Sequence, residues 1–305
     1  GKFAESAAAS KQVLDNTSRT LDADYASVFV NDGASEVIFD TQFKDPDKGH
    51  WGNLFNTPKA ASGPVSGWGG TCPTQNLVDQ YEMQATGLLP SDAGSGYDPN
   101  NPYVGRDPRF YASIIYDGAL WKGVNWELRP GGDSGIRTSG DWTRTGYHMR
   151  KMIQEDRNHN EYSEQHWIHL RLGEVYLNYA EALIESGTGL DNAVAAINEV
   201  RARSNMPLVT NTGQTDLRNK VRRERRIELA FEEHRFWDIR RWGIAGNPEV
   251  LTIYRVDMDA NGVLIGDGKE IWEIRNWNAA NLLMPIPQGE IDKNPNLLPQ
   301  NSGYN

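Results

Sequence analysis

Cysteine is almost absent. Cys72 stands alone in 305 residues, which excludes an internal disulfide and any Cys-rich zinc site and leaves the redox compartment unread. Long apolar runs are missing too: no stretch approaches the roughly 20 residues that span a bilayer as a helix. Basic surplus is lacking, since the net charge is −10, and this argues against a general nucleic-acid or anionic-membrane binder, whose affinity rests on Lys and Arg. The chain opens at Gly1 without an initiator Met, a signal sequence or a lipidation Cys, so the native N-terminus is expected to have been removed.

Aromatic residues are abundant, with ten Trp and twelve Tyr. Three textures follow one another. Residues 1–43 read as an Ala-rich helix over 4–14 and a strand near 36–39, leading into the rest. Residues 44–150 hold 17 of the 30 glycines, five tryptophans and turn clusters such as DPNNP at 98–102, the composition of a loop-rich aromatic subdomain. Residues 151–305 read as a helical scaffold with a hairpin and a Pro-rich tail. Within it Ile168, Leu172, Val175, Tyr176, Tyr179 and Leu183 form one apolar helical stripe. Gly187 ends that helix, and Asp191 is expected to cap a second that folds back on it. The LGxxY run at 172–176 is a fragment of a tetratricopeptide pattern, where glycine lets paired helices approach closely.

A single helix is expected to carry RRERRIELAFEEHRFWDIRRW (222–242), capped near Thr215 or Asp216. Its apolar residues cover more than one face, so it must be enclosed and its charges paired. Arg225 with Glu228, Glu232 with Arg235, and Asp238 with Arg241 have the spacing to pair along it. Interleaved Glu residues favour internal ion pairing over a nucleic-acid role for its arginines. Further on, 252–256 and 263–265 flank Asn261-Gly262 as a hairpin.

Several motifs have a sharper and a blander reading. GDSG at 132–135 matches a protease nucleophile loop, but without a base, an acid or a double β-barrel a Gly-rich turn is favoured. His166, His169 and Glu174 could form a metal site on one helix face, yet helix packing is favoured. Asp257, Asp259 and Asn261 match the first half of a calcium loop, but Gly268 occupies the position of the bidentate Glu, so the hairpin is favoured and no metal or other cofactor is assigned. No catalytic constellation stands out.

Six segments carry a resemblance: PTQNLVDQYEM (73–83), DPRFY (107–111), LRLGEVYLNYAEA (170–182), RRERRIEL (222–229), RFWDIRRWG (235–243) and LMPIP (283–287). Together, and in this order, they are similar to the SusD/RagB family of outer-membrane nutrient-binding lipoproteins. The resemblance implies a mainly α fold of tetratricopeptide-like helix pairs with an irregular subdomain and a short β-hairpin. It implies a non-enzymatic, surface-exposed carbohydrate-binding protein that passes oligosaccharides to a SusC-like TonB-dependent transporter and is held at the outer membrane by an N-terminal lipid. Family members are longer, so the chain reads as a C-terminal portion or a short relative. Arg225, Glu228, Arg235 and Asp238 are then expected to lock the last helix into the array.

No sugar-contacting residue transfers by motif. The site is therefore placed on side-chain chemistry: Trp51, Trp68, Trp121 and Trp126 to stack on sugar rings, and Asn53, Asn125, Asp133 and Arg137 to bond hydroxyls. One to three of the five tryptophans in 44–150 are expected to face solvent. The alternative is an interaction scaffold docking on the transporter or on further chain. A hydrolase using Ser134 or a carboxylate pair ranks last.

Overall fold

The computed structural model describes residues 1–304. Helix α1 (Phe3–Asn16) is followed by strand β1 (Val37–Thr41). The glycine-rich stretch carries three short helices, α2 (Gly52–Asn56), α3 (Gln75–Val78) and α4 (Pro108–Ser113). It also carries four short strands, β2 (Ile114–Ile115), β3 (Ala119–Trp121), β4 (Val124–Trp126) and β5 (His148–Met149). Strand β6 (Trp167–Arg171) runs into α5 (Leu172–Ser186), then come α6 (Leu190–Arg203), α7 (Gln214–Glu228), α8 (His234–Arg241) and α9 (Pro248–Leu251). The hairpin β7 (Thr252–Met258) and β8 (Leu264–Ile274) precedes α10 (Gln288–Lys293). Among the described residues all strand pairing is antiparallel and two-stranded: β1 with β6, β2 with β5, β3 with β4, β7 with β8. The fold is thus mainly helical with small strand pairs, as expected.

Helix α5 is the axis of the array. Leu177, Ala180 and Ile184 pack against Ala193, Ile197 and Val200 of α6, Leu217 and Val221 of α7, and Ala7 of α1. Small residues on α6 let the helices approach closely. Gly187 ends α5 with φ 70°, a left-handed cap that a side chain would strain. The expected stripe starts one residue late, because Ile168 lies on β6. Asp191 is not the cap of α6: Gly189 precedes that helix, and Asp191 sits in its first turn, accepting a bond from Asn211. Likewise Gly213, not Thr215 or Asp216, precedes α7.

The segment 222–242 is not one helix. It breaks between α7 and α8, with Phe231 and Glu233 left-handed at φ 67° and 65°. The carbonyls needed to carry the helix forward are taken by side chains: Glu228 O accepts from Tyr25 (2.8 Å) and Arg171 (2.9 Å), and Ala230 O from Lys151 (2.9 Å). With those acceptors occupied, the ladder stops. Of the three expected pairs along the helix, only Asp238 with Arg241 forms (2.8 Å).

The other charges pair across elements. Glu228, fully buried, accepts from Arg109 (2.9 Å), Arg171 (2.7 Å) and Arg203 (2.5 Å). Arg109 also binds Asp107 and Glu224, Arg171 binds Glu36 and Glu232, and Arg201 bridges Glu82 and Glu224. Arg225 binds Asp238 and Asn178, and Arg241 binds Glu181. Burial opposes ionisation of Glu228, but Arg203, Arg171 and Arg109 outweigh it and hold the carboxyl well below its usual range. Burial wins at Lys151, whose pKa falls to about 8 although Glu232 faces it. Gly173 lies inside this network: a Cβ there would stand 2.6 Å from the Arg171 guanidinium and 3.1 Å from the Glu228 carboxylate. Its close approach is therefore to an ion pair whose carboxylate comes from the partner helix α7.

The hairpin forms at Asn261-Gly262 as expected, with Gly262 at φ 82°. Asp259 accepts from the backbone N–H groups of Asn261 (2.8 Å) and Val263 (3.0 Å), so its carboxylate closes the turn. Asn76 clamps the hairpin base through Thr252 O (2.9 Å) and Tyr254 N (2.8 Å). The Pro-rich tail closes on itself, Gln300 bonding both N and O of Ile286 at 2.8 Å.

Candidate functional site

Two aromatic pairs stand on the surface around α2. Gly67 and Gly70 let the chain return along that helix, since a Cβ on either would lie 2.5 Å and 2.8 Å from backbone oxygens of Thr57 and Phe55. Trp68 N then donates to Leu54 O (2.8 Å) and Gly70 N to Phe55 O (2.7 Å). This sets the Trp68 ring 5.1 Å from Phe55. One helical turn away, His50 and Ser163 exchange backbone bonds (3.0 and 2.7 Å), bringing Tyr162 to 4.3 Å from the Trp51 ring. Trp51 keeps 36% and Trp68 51% of its surface in solvent, and Phe55 and Tyr162 are also exposed. Such flat rings in water suit apolar ring faces.

The remaining predicted residues separate. Trp121 and Trp126 are 2% and 1% exposed and form a core with Ile115, Leu128 and Met149. Their short strands β3 and β4 point both indoles inward, because residues two apart share a face and the tight hairpin closes the pair. They cannot stack on a ligand in this structure. Asn53 is buried as well: its amide donates to Gln154 O (2.8 Å) and accepts from Gln154 N (3.0 Å), which pins a loop. Asp133 is engaged by the Ser62 hydroxyl (2.9 Å), and Ser134 is buried in the glycine turn. Asn125 and Arg137 are exposed, Arg137 lying 3.6 Å over the Trp142 ring.

The imagined metal triad does not assemble. His166 is held by Asp40 (2.6 Å) and Val28 O (2.8 Å), His169 by Thr41 (2.8 Å), and Glu174 stands near His234 (3.7 Å). His166 and His169 lie beside and on β6 rather than on a helix. No group of three or more potential metal ligands occurs among the described residues.

Sequence reasoning missed Phe55 and Tyr162 by weighing tryptophans alone; the four-residue spacing of Trp51 and Phe55 was the available signal. It also missed a cavity of about 320 Å³ lined by Tyr97, Tyr103, Tyr147 and Gln75. There Tyr147 donates to Gln75 (2.6 Å) and meets the Tyr103 hydroxyl at 3.3 Å. Burial raises the pKa of all three phenols, keeping them protonated as hydrogen-bonding groups.

Antiparallel helix pairs carrying an irregular, aromatic-faced subdomain define a tetratricopeptide-like scaffold. The SusD family model matches residues 35–304, and the chain belongs to that family. A SusD-like protein from Bacteroides fragilis is 32% identical, with a TM-score of 0.81 over 99% of this chain and 62% of that one. A SusD-like carbohydrate-binding protein from the same species is 30% identical, with a TM-score of 0.83 over 97% of this chain and 61% of that one. The SusD-like protein P2 of Formosa agariphila is 35% identical over 158 residues, covering 48% of this chain and 28% of the relative. The chain thus spans less than two thirds of the length of these relatives.

Proposed function

We propose that this protein binds oligosaccharide, without catalysis, on the surface formed by Trp51, Tyr162, Phe55 and Trp68. The paired, solvent-exposed rings around α2 carry the reading. Stacking of sugar faces on such rings needs no general acid, base or metal. A structural relative described as carbohydrate-binding supports it. In the whole protein the same surface serves nutrient uptake at the outer membrane: a lipid anchor holds it there, and a SusC-like TonB-dependent transporter receives the glycan.

Calorimetry against a panel of oligosaccharides tests this. Trp51→Ala and Trp68→Ala are each expected to weaken binding by up to about tenfold, the upper end of an aromatic contact being ~1.5 kcal/mol. Unchanged affinity in both variants overturns the site.

A second reading, docking on the transporter or on further chain, is favoured by other exposed apolar side chains. Trp237 on α8, Ile274, Leu283, Met284 and Leu298 are all exposed. Co-purification with a SusC-like transporter in the absence of any glycan binding would favour it over the first.

A further inference from the structure

The break between α7 and α8 leaves two arginines without partners. Arg226 on α7 and Arg235 on α8 line both of two adjoining cavities, of about 590 and 300 Å³. Their neighbours in sequence are all engaged: Arg222 with Glu185, Arg223 with Glu82, Arg225 with Asp238, and Arg241 with Glu181. The side chains of Arg226 and Arg235 make no hydrogen bond or ion pair of contact length among the described residues; Arg235 lies 5.9 Å from the Trp242 ring and feels the Asp238 charge without touching it.

The acids in these walls are occupied or turned to solvent. In the larger cavity Asp79 accepts from Gln75 (2.6 Å) and faces Lys269 at 3.5 Å, and Glu249 accepts from Asn247 (2.8 Å). In the smaller, Asp238 is bound by Arg225 and Arg241, and Glu233 is exposed. Lys269, paired with Asp79, also lines the larger cavity. Arg226 and Arg235 are half-buried, so solvent only partly screens their repulsion, and a guanidinium does not escape it by losing its proton. Burial and then Arg235 push the pKa of Arg226 down to about 9, against a smaller opposing pull from Asp79.

We propose that Arg226 and Arg235, with Lys269 at the rim, form a binding site for an oxyanion, namely a sulfate or carboxylate group. A planar guanidinium offers paired donors that match two oxygens of either group. The site is independent of the aromatic surface and stands or falls without it. Its source is either a free inorganic anion or the acidic group of a charged saccharide.

The test uses the 305-residue protein at constant ionic strength, with sodium sulfate exchanged for chloride and melting temperature and calorimetry as readouts. Sulfate is expected to raise the melting temperature saturably. The shift disappears in Arg226→Gln/Arg235→Gln and persists in Arg240→Gln, a control cation that bonds Phe236 O. The variants separate site binding from the general stabilising effect of sulfate. In sulfate-free chloride buffer Arg226→Gln is expected to leave the melting temperature unchanged or raise it, because it relieves repulsion. A sulfate shift no larger in wild type than in the double variant overturns the proposal. So does a drop in Arg226→Gln in sulfate-free chloride buffer, since that reveals an internal partner. Glucuronate and a sulfated monosaccharide, set against glucose, identify the source. Binding tighter than inorganic sulfate assigns the acidic group of a sugar, and binding by sulfate alone assigns a free anion.

Discussion

Around Glu228 the protein encloses ion pairs, while around Trp68 it leaves large aromatic rings in water. Both arrangements reverse the usual sorting of side chains, and each has its own physical justification. The buried carboxylate is surrounded by three guanidinium groups, so its desolvation is offset by charge-assisted bonds. The exposed rings are held by backbone bonds, those of the glycine segment 67–70 for Trp68 and those between His50 and Ser163 for the Trp51 and Tyr162 pair, and not by burial. One region uses polar chemistry to hold the fold, and the other leaves apolar surface in solvent, where the proposed ligand would stack. Trp121 and Trp126 show that composition alone does not assign a residue to either use: they come from the same Gly-rich stretch as Trp68, yet they form core.

Substitutions should separate the two regions sharply. The largest effect is expected for Glu228→Gln, which leaves Arg109, Arg171 and Arg203 short of a counterion; denaturant unfolding should show a loss of about 3–5 kcal/mol. The next is an acid effect at His148, buried without a hydrogen-bond partner. Burial lowers its pKa from 6.5 to about 3, so between these values the unfolded chain binds the proton and the folded protein does not. Stability therefore falls as pH drops through that window, by about 2–3 kcal/mol between pH 6.5 and 4.5 at ~1.4 kcal/mol per unit. His148→Phe should flatten this part of the stability profile, and an unchanged slope would refute the assignment. Gly173→Ala should cost roughly 1–3 kcal/mol by pressing a methyl into the Arg171 and Glu228 pair, read as a lower unfolding midpoint. Smallest of all, Trp68→Ala should change stability by no more than about 0.5 kcal/mol, as exposed positions do. A large loss there would erase the contrast between the regions.

The helical part was legible because its signals are local. The stripe on α5, the glycine at 187 and the Asn-Gly turn each follow from periodicity or backbone preference over a few residues. The partners of the charges were not legible. Arg225 and Glu228 have ideal helical spacing, yet each reaches another element, since enclosed charges pair with whatever carboxylate or guanidinium the packing brings closest. The four surface aromatics were half legible: the tryptophans were visible, but Tyr162 reaches Trp51 only through the pairing of His50 with Ser163.

By itself, the sequence determined the family, the helical class and the hairpin. The segments that carry the resemblance supply Glu82, Arg109, Arg171, Glu224 and Glu228, and these residues meet in one network. Tertiary structure alone decided which indoles are core, where the helix of 222–242 breaks and which arginines stay unpaired. The physical reason is that burial and ion pairing depend on neighbours distant in the chain, whereas turns and helical faces depend on neighbours a few residues away.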